Sequence, residues 1–217
     1  MTDFTARRTM MVDTQVRPSD VTKFPIIDAM LGVAREDFVP VAKREAAYAG
    51  EDLDLGQGRV LVEPRTLAKM LDALAIEGNE LVLDIGCTLG YSTAVIARMA
   101  EAVVAVEEDE AMAHEAQSAL IEAGADNAVV HTGPLAEGAA QHGPYDAVVI
   151  QGGVQTVPST IVDQLKDGGR IGCIFMDGPL GEARIGRKRG DKISWRLAFN
   201  ATAAVLPGFG KKKQFVL

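Results

Sequence analysis

From residue 80 the chain alternates short, wholly apolar runs with helical segments, and this constrains the fold more than any other feature. "LVLDIG", "AVVAVEED", "NAVVHTG", "YDAVVIQGG" and "RIGCIFM" read as five strands. "STAVIARMA", "EAMAHEAQSALIEAG" and "STIVDQLKDGG" read as intervening helices, the last two with glycine stops. Strands apolar on both sides are buried on both sides, so the expectation is a parallel sheet covered by helices on each face. Each crossover is then right-handed. The end of the chain breaks the rhythm. "EARIGRKRGDKISWRLAF" predicts an antiparallel hairpin turning at Gly190-Asp191, with Ile193, Trp195, Leu197 and Phe199 alternating along one strand. "AAVLPGFGKKKQFVL" offers a last short strand.

The segment before residue 64 is of another kind. "FTARRTMMVDTQV" and "VTKFPIIDAMLGV" carry helical apolar spacing, the first stopped by Pro18 and the second with Pro25 in its first turn. "REDFVPVAKREAAYAGEDLDLGQG" reads as mostly irregular. "EPRTLAKMLDALAI" is a helix with Leu67, Met70, Leu71 and Leu74 on one face. We therefore expect one domain over 1–217: an N-terminal helical extension and loop over 1–63, and an α/β core over 64–217. Its 217 residues suffice for one well-filled core.

Charge and cysteine usage exclude several functions. A net charge of −8 disfavours nucleic acid as a partner. The basic cluster of Arg184, Arg187, Lys188, Arg189 and Lys192 reads as a solvated hairpin, and Lys211-Lys212-Lys213 as an exposed turn. No apolar run approaches the ~20 residues that span a bilayer, and the N-terminus lacks the apolar core of a secretory signal. Two distant cysteines and three scattered histidines argue against a disulfide scaffold or a metal site. A reducing cytoplasm is the expected compartment. The methionines read as core filler.

Ligands of open parallel sheets bind beyond the carboxyl ends of the strands, where strand order reverses. At the first such end stands Asp84-Ile85-Gly86-Cys87-Thr88-Leu89-Gly90, followed by a helix beginning near Tyr91. Gly86 and Gly90 supply backbone that turns tightly or approaches a ligand. Glu107, with Glu108 beside it, ends the second strand 23 residues after Asp84, the spacing of an acid that accepts from ribose hydroxyls. A dinucleotide needs G-x-G-x-x-G, and Thr88 occupies its second glycine. The spacing G-x-x-x-G suits the more compact loop that holds S-adenosylmethionine. A tight turn with no ligand is the bland reading.

Several segments, in order from about residue 7 to the end, resemble the protein-L-isoaspartate O-methyltransferases. "RRTMMVDTQVR" resembles the family's R-x-x-M-V-x-x-Q-[LV]-R, and "VAREDFVP" its V-x-R-x-x-F-V-P, followed by Ala47-Tyr48. "VLDIGCTLGYSTAVIARMA" resembles its glycine loop, and "PYDAVVIQGGVQTVPSTIVDQLKDGGRI" its P-Y-D through G-G-R segment. The resemblance implies a Rossmann-like methyltransferase fold: a mostly parallel sheet closed by an antiparallel C-terminal hairpin. It also implies S-adenosylmethionine as methyl donor and a peptide or protein carboxylate, isoaspartyl in the family, as acceptor; a small-molecule acceptor stays open. The cofactor-binding positions it implies are Asp84, Gly86, Cys87, Thr88, Gly90, Tyr91, Glu107, Glu108, Gly133 and Leu135. No metal is expected.

Three positions depart from the family pattern. Thr88 replaces the middle glycine of the loop, where a β-branched residue disfavours positive φ. "GRVLVEP" stands where the family has G-[QE]-T-I-S-[QA]-P, so Val62 occupies the acceptor-site serine position. A valine side chain cannot hydrogen-bond a carboxylate, and an inward Glu63 would repel one. Gly133 replaces the acid of the family's G-D-G. The leading expectation is a carboxyl O-methyltransferase with altered acceptor use. The alternative is a catalytically inactive interaction module, marked by a cofactor cleft filled with side chains such as Thr88 and Leu89. A nicotinamide-dependent oxidoreductase is a third, weaker reading, opposed by the terminal hairpin.

Overall fold

The computed structural model describes residues 3–211. Helix α1 (Phe4–Met11) is capped by the Asp3 side chain and runs on through a π-helical turn to a final 3-10 turn at Pro18. Helix α2 (Phe24–Gly32) begins with Pro25 in its first turn. Two 3-10 segments lead to strands β1 (Leu53–Gly56) and β2 (Arg59–Leu61), then to α3 (Pro64–Leu74). The core follows as β3 (Leu81–Ile85), α4 (Tyr91–Ala97), β4 (Ala102–Glu107), α5 (Glu110–Glu122), β5 (Ala128–Thr132), β6 (Tyr145–Val154), α6 (Ser159–Asp163), β7 (Leu165–Asp177), β8 (Leu180–Arg189) and β9 (Lys192–Asn200).

The main sheet has seven strands in the order β5-β4-β3-β6-β7-β8-β9. The first five are parallel, and β8 and β9 add antiparallel. The chain starts at β3, moves outward to β5, then returns to β6 on the other side of β3. Strand order therefore reverses between β3 and β6, and the crevice beyond their carboxyl ends is where such a sheet holds a ligand. One face of the core joins sheet residues such as Val82, Val103 and Ala147 to Met11, Ile26 and Met30 of the N-terminal helices and to Leu67, Met70, Leu71 and Leu74 of α3. The other face packs Leu83, Val104, Val148 and Ile171 against Ile161, Leu206 and Phe209.

The expected architecture is present, with four differences. The stretch expected to be irregular ends in β1 and a turn through left-handed Gly56, Gln57 and Gly58, and β2, in the expected acceptor-side loop, completes a hairpin with it. Its strands are too short to register as a pattern of period two. Helix α6 is shorter than expected, because Leu165 leaves it to pair with Tyr145 at the start of the sheet. No final strand forms after β9 among the described residues. Val205 makes one isolated bridge to Gly153, then Pro207, which has no N–H, and left-handed Gly208 turn the chain away. Along β9, Leu197 is exposed, while Trp195 is half-buried, edge-on to Phe175 with ring centroids 4.8 Å apart. Of the lysine turn, only Lys211 lies within the described residues.

Candidate cofactor cleft and acceptor loop

The loop after β3 is fastened to β4 and closed on itself by backbone hydrogen bonds. The amides of Gly86 and Cys87 donate to Val106 O at 2.8 and 3.3 Å, and Gly90 N donates to Cys87 O at 2.9 Å. Gly86 and Gly90 have φ of +77° and +95°, and Thr88 adopts +53°. A left-handed threonine carries a cost of about 1–2 kcal/mol, which its surroundings must hold in place. Its amide is held by Glu107 Oε2 at 3.1 Å. Cys87, Thr88 and Leu89 are all buried. Burial, with Asp84 and Glu107 nearby, pushes the Cys87 thiol well above its ordinary range, which disfavours the thiolate.

Asp84 is fully buried and fully engaged. Ser92 Oγ and Thr93 Oγ1, both in the first turn of α4, donate to its Oδ2 at 2.7 Å each. Gln151 Nε2, from β6 just beyond its pairing with β3, donates to Oδ1 at 2.8 Å. Burial raises the Asp84 carboxyl, and these three bonds oppose the rise. Asp84 thus pins the loop, the helix and the neighbouring strand end together. Tyr91 lies beneath the loop, its ring 4.6 Å from the Arg35 guanidinium carbon and 6.0 Å from the Phe38 ring. It is packed against the N-terminal extension.

Glu107, the acid expected to face a ribose, is 0% exposed. Arg59 of β2 reaches over it: Nε and Nη2 donate to Oε1 at 3.1 and 2.9 Å, and Nη2 lies 3.1 Å from Glu108 Oε1. The amides of Glu108 and Asp109 donate to the same Oε1. With Thr88 N on Oε2, the carboxylate accepts five hydrogen bonds from its own chain. A pocket of about 440 Å³ opens beside it, lined by Gln57, Arg59, Glu108, Asp109, Gly133 and Pro134. Gly133 N donates to Glu107 O, and Leu135 is buried in the core.

The crevice between β3 and β6 is occupied by Leu206. A side chain added at Gly152 would meet Leu206 Cγ at 2.6 Å, and one at Gly86 would meet Leu206 Cδ1 at 3.2 Å. The sequence reading missed both Arg59 and Leu206. One is a lone arginine in "GRVLVEP", a segment read only for its acceptor-side positions, and the other lies in a segment read as a strand. Gln151 lies near the carboxyl end of an expected parallel strand, the end where such sheets hold ligands, and that was the available signal.

On the acceptor side, Val62 is buried and its carbonyl accepts from Arg35 Nη2 at 2.7 Å. Glu63 does not present a free charge. Its Oε1 accepts from Thr66 Oγ1 at 2.6 Å and from Arg65 at 3.2 and 3.3 Å, while its amide donates to Asp52 Oδ1. Burial raises the Asp52 carboxyl despite that amide. A groove of about 660 Å³ runs alongside, lined in part by Asp52, Glu63, Arg65, Leu180 and Glu182.

The family model for protein-L-isoaspartate(D-aspartate) O-methyltransferase matches residues 7–182. A protein-L-isoaspartate O-methyltransferase of Syntrophus aciditrophicus is 34% identical over 171 residues, 79% of this chain and 78% of that one. A Rhodopseudomonas palustris relative of the same description is 36% identical, over 78% of this chain and 69% of its own. Among solved structures, a protein-L-isoaspartate O-methyltransferase superposes with a TM-score of 0.82 at 23% identity, over 94% of this chain and 67% of that one. A Plasmodium falciparum beta-aspartate methyltransferase in complex with S-adenosyl-L-homocysteine gives 0.79 at 16% identity, over 95% and 99%.

S-adenosylmethionine in this crevice would require open backbone at Gly86, a free acceptor at Glu107 and space over the end of β6. Leu206 covers Gly86 and the end of β6, and Arg59 engages Glu107. In this conformation the residues do not fit the cofactor.

Proposed function

The chain belongs to the protein-L-isoaspartate(D-aspartate) O-methyltransferase family, methyltransferases that use S-adenosylmethionine, and from that membership we propose that it methylates carboxylates of proteins or peptides with acceptor use altered from the isoaspartyl one. The observation that carries the altered acceptor is Val62, buried, with no hydrogen-bonding group on its side chain and its carbonyl tied to Arg35. An ionised carboxylate needs no strong base to attack a methyl sulfonium. It needs alignment and exclusion of water, and a hydroxyl at position 62 would give that alignment a handle. Isoaspartyl-peptide methylation by the protein is expected to be weak or absent, and Val62→Ser is expected to raise it. Robust turnover by the unaltered protein would overturn this account of the acceptor loop.

A second reading, a catalytically inactive interaction module on the same fold, is favoured by one observation: the chain's own side chains, Leu206 over Gly86 and Gly152 and Arg59 on Glu107, take up two parts of the cleft. Calorimetry with S-adenosylmethionine and with S-adenosylhomocysteine separates the two. Saturable binding supports the methyltransferase reading. No heat with either at millimolar concentration supports the module.

The single-domain organisation over 1–217 and a cytoplasmic location belong to the same proposal. The first rests on the core that N-terminal helices and sheet share, and the second on buried free thiols at Cys87 and Cys173. Among the described residues no helix is long and apolar enough to cross a membrane. The binding positions Asp84, Gly86, Cys87, Thr88, Gly90, Tyr91, Glu107, Glu108, Gly133 and Leu135 are likewise proposed, and they require the cleft to open.

A further inference from the structure

The segment after β9 is built unlike the rest of the fold. From Thr202 to Lys211 only Leu206 and Phe209 are buried, while their neighbours are exposed or half-buried. The two act as apolar pegs. Leu206 sits over Gly86 and Gly152, at the reversal of strand order, and packs with Phe209 and Leu135 in one cluster. Gly208, at φ +79°, lies close against Ala136, where a side chain would meet Ala136 Cβ at 2.6 Å.

Backbone bonds hold the pegs in register. Gly153 N donates to Ala204 O at 2.8 Å, Leu206 N to Gly153 O at 2.9 Å, and Gln155 N and Thr156 N to Phe209 O at 2.8 and 3.0 Å. All four run between this segment and the extension of β6. Its start is also held by β7, through the Ala203 amide on Met176 Sδ at 3.5 Å. From Ala204 on, the segment is therefore a strap across the mouth of the crevice, fastened to the β6 extension. A strap with two pegs and few backbone bonds is a candidate for local opening that leaves the sheet intact.

We infer that residues 204–209 are a built-in closure of the cofactor cleft: Leu206 seated over Gly86 and Gly152 and cofactor in the crevice exclude one another. The inference rests on the methyltransferase reading above. Any ligand of the crevice then binds only the fraction of molecules with the strap lifted, and its apparent affinity falls by that fraction. Arg59 on Glu107 is a second closure at the ribose end, and it sits on a different element, the short β1–β2 hairpin.

The test compares S-adenosylhomocysteine binding to the full-length protein and to Leu206→Ala/Phe209→Ala, both checked for folding by thermal melting. The double variant is expected to bind at least about tenfold more tightly, because the pegs that favour the closed state are gone. If the double variant does not fold, the comparison is made with Leu206→Ala alone, which still opens space over Gly86 and Gly152. On the unaltered protein, hydrogen exchange at saturating S-adenosylhomocysteine is expected to speed up at the amides of Gln155, Thr156 and Leu206. Binding to the unaltered protein with those amides unchanged or slowed overturns the closure and leaves the methyltransferase reading standing. A folded variant and an unaltered protein that both fail to bind overturn the closure and that reading together.

Discussion

At the scale of single residues, Arg59 decides the state of Glu107. Arg59 is 3% exposed and faces a residue with no exposure at all, so both charges have lost most of their water. Such a pair contributes little net stability against an apolar substitute, but removing one partner is costly because the other stays buried and charged. Arg59→Ala is therefore expected to lower unfolding free energy by about 3 kcal/mol. The three backbone amides that remain on Glu107 limit the loss. Adding Glu107→Gln is expected to recover part of it, with a coupling of at least about 1 kcal/mol in a double-mutant cycle. Urea denaturation of the four proteins measures this, and strictly additive losses would count against the pair. At the same scale, the sequence marked Glu107, Asp84 and the loop glycines through spacing to the strand ends. It gave no sign that Arg59 would be the partner, because that contact joins residues 48 apart through a two-strand hairpin.

At the scale of elements, helix α3 shows how apolar spacing becomes docking. The face formed by Leu67, Met70, Leu71 and Leu74 lies on the sheet, and Gly172 of β7 lets it approach. A methyl group at Gly172 would sit 2.6 Å from Met70 Sδ and 3.1 Å from Leu74 Cδ1. Gly172→Ala is expected to destabilise by about 1–3 kcal/mol through overpacking, measured by urea denaturation. A neutral result would mean that α3 shifts freely on the sheet. The α3 stripe was legible because a helix repeats its burial every three to four residues. Strands β3, β4 and β6 were legible because both their faces are buried. The strap after β9 was misread, since its two buried positions, Leu206 and Phe209, mimic a short apolar run while Pro207 and Gly208 prevent strand pairing.

At the scale of the whole molecule, Arg170 of β7 gathers the far end of the sheet. It donates to Glu80 Oε1 and Oε2 at 2.7 and 2.6 Å, to Leu74 O at 2.7 Å and to Ala75 O at 3.1 Å, tying β7 to the end of α3 and the start of β3. Burial alone would raise the Glu80 carboxyl. The Arg170 bonds and charge and the Glu77 amide outweigh it, holding Glu80 below the ordinary 4.5. An acid depressed in the folded state stabilises fully above its unfolded value, and that contribution is lost as pH falls through the folded value. Wild type is therefore expected to be more stable than Glu80→Gln at pH 7 by about 1–3 kcal/mol, and the gap is expected to close below pH 4.5. Unfolding free energies measured from pH 7 down to pH 3 check this, and a gap constant across the range would overturn it.

What the sequence determined by itself is the framework. Alternating apolar strands and helices dictate a covered parallel sheet, and the glycine loop and strand-end acid mark its ligand edge. These signals are local: burial on both faces, a turn that needs positive φ, a spacing of one βαβ unit. What only the tertiary structure decided is the state of that edge. Whether Glu107 faces a ligand or an arginine, and whether Gly86 and Gly152 face open space or a leucine, depends on residues 59 and 206, one before the sheet begins and one after it ends. No periodicity connects such positions, because the energy that brings them to the crevice is gained only when the whole core has assembled around them.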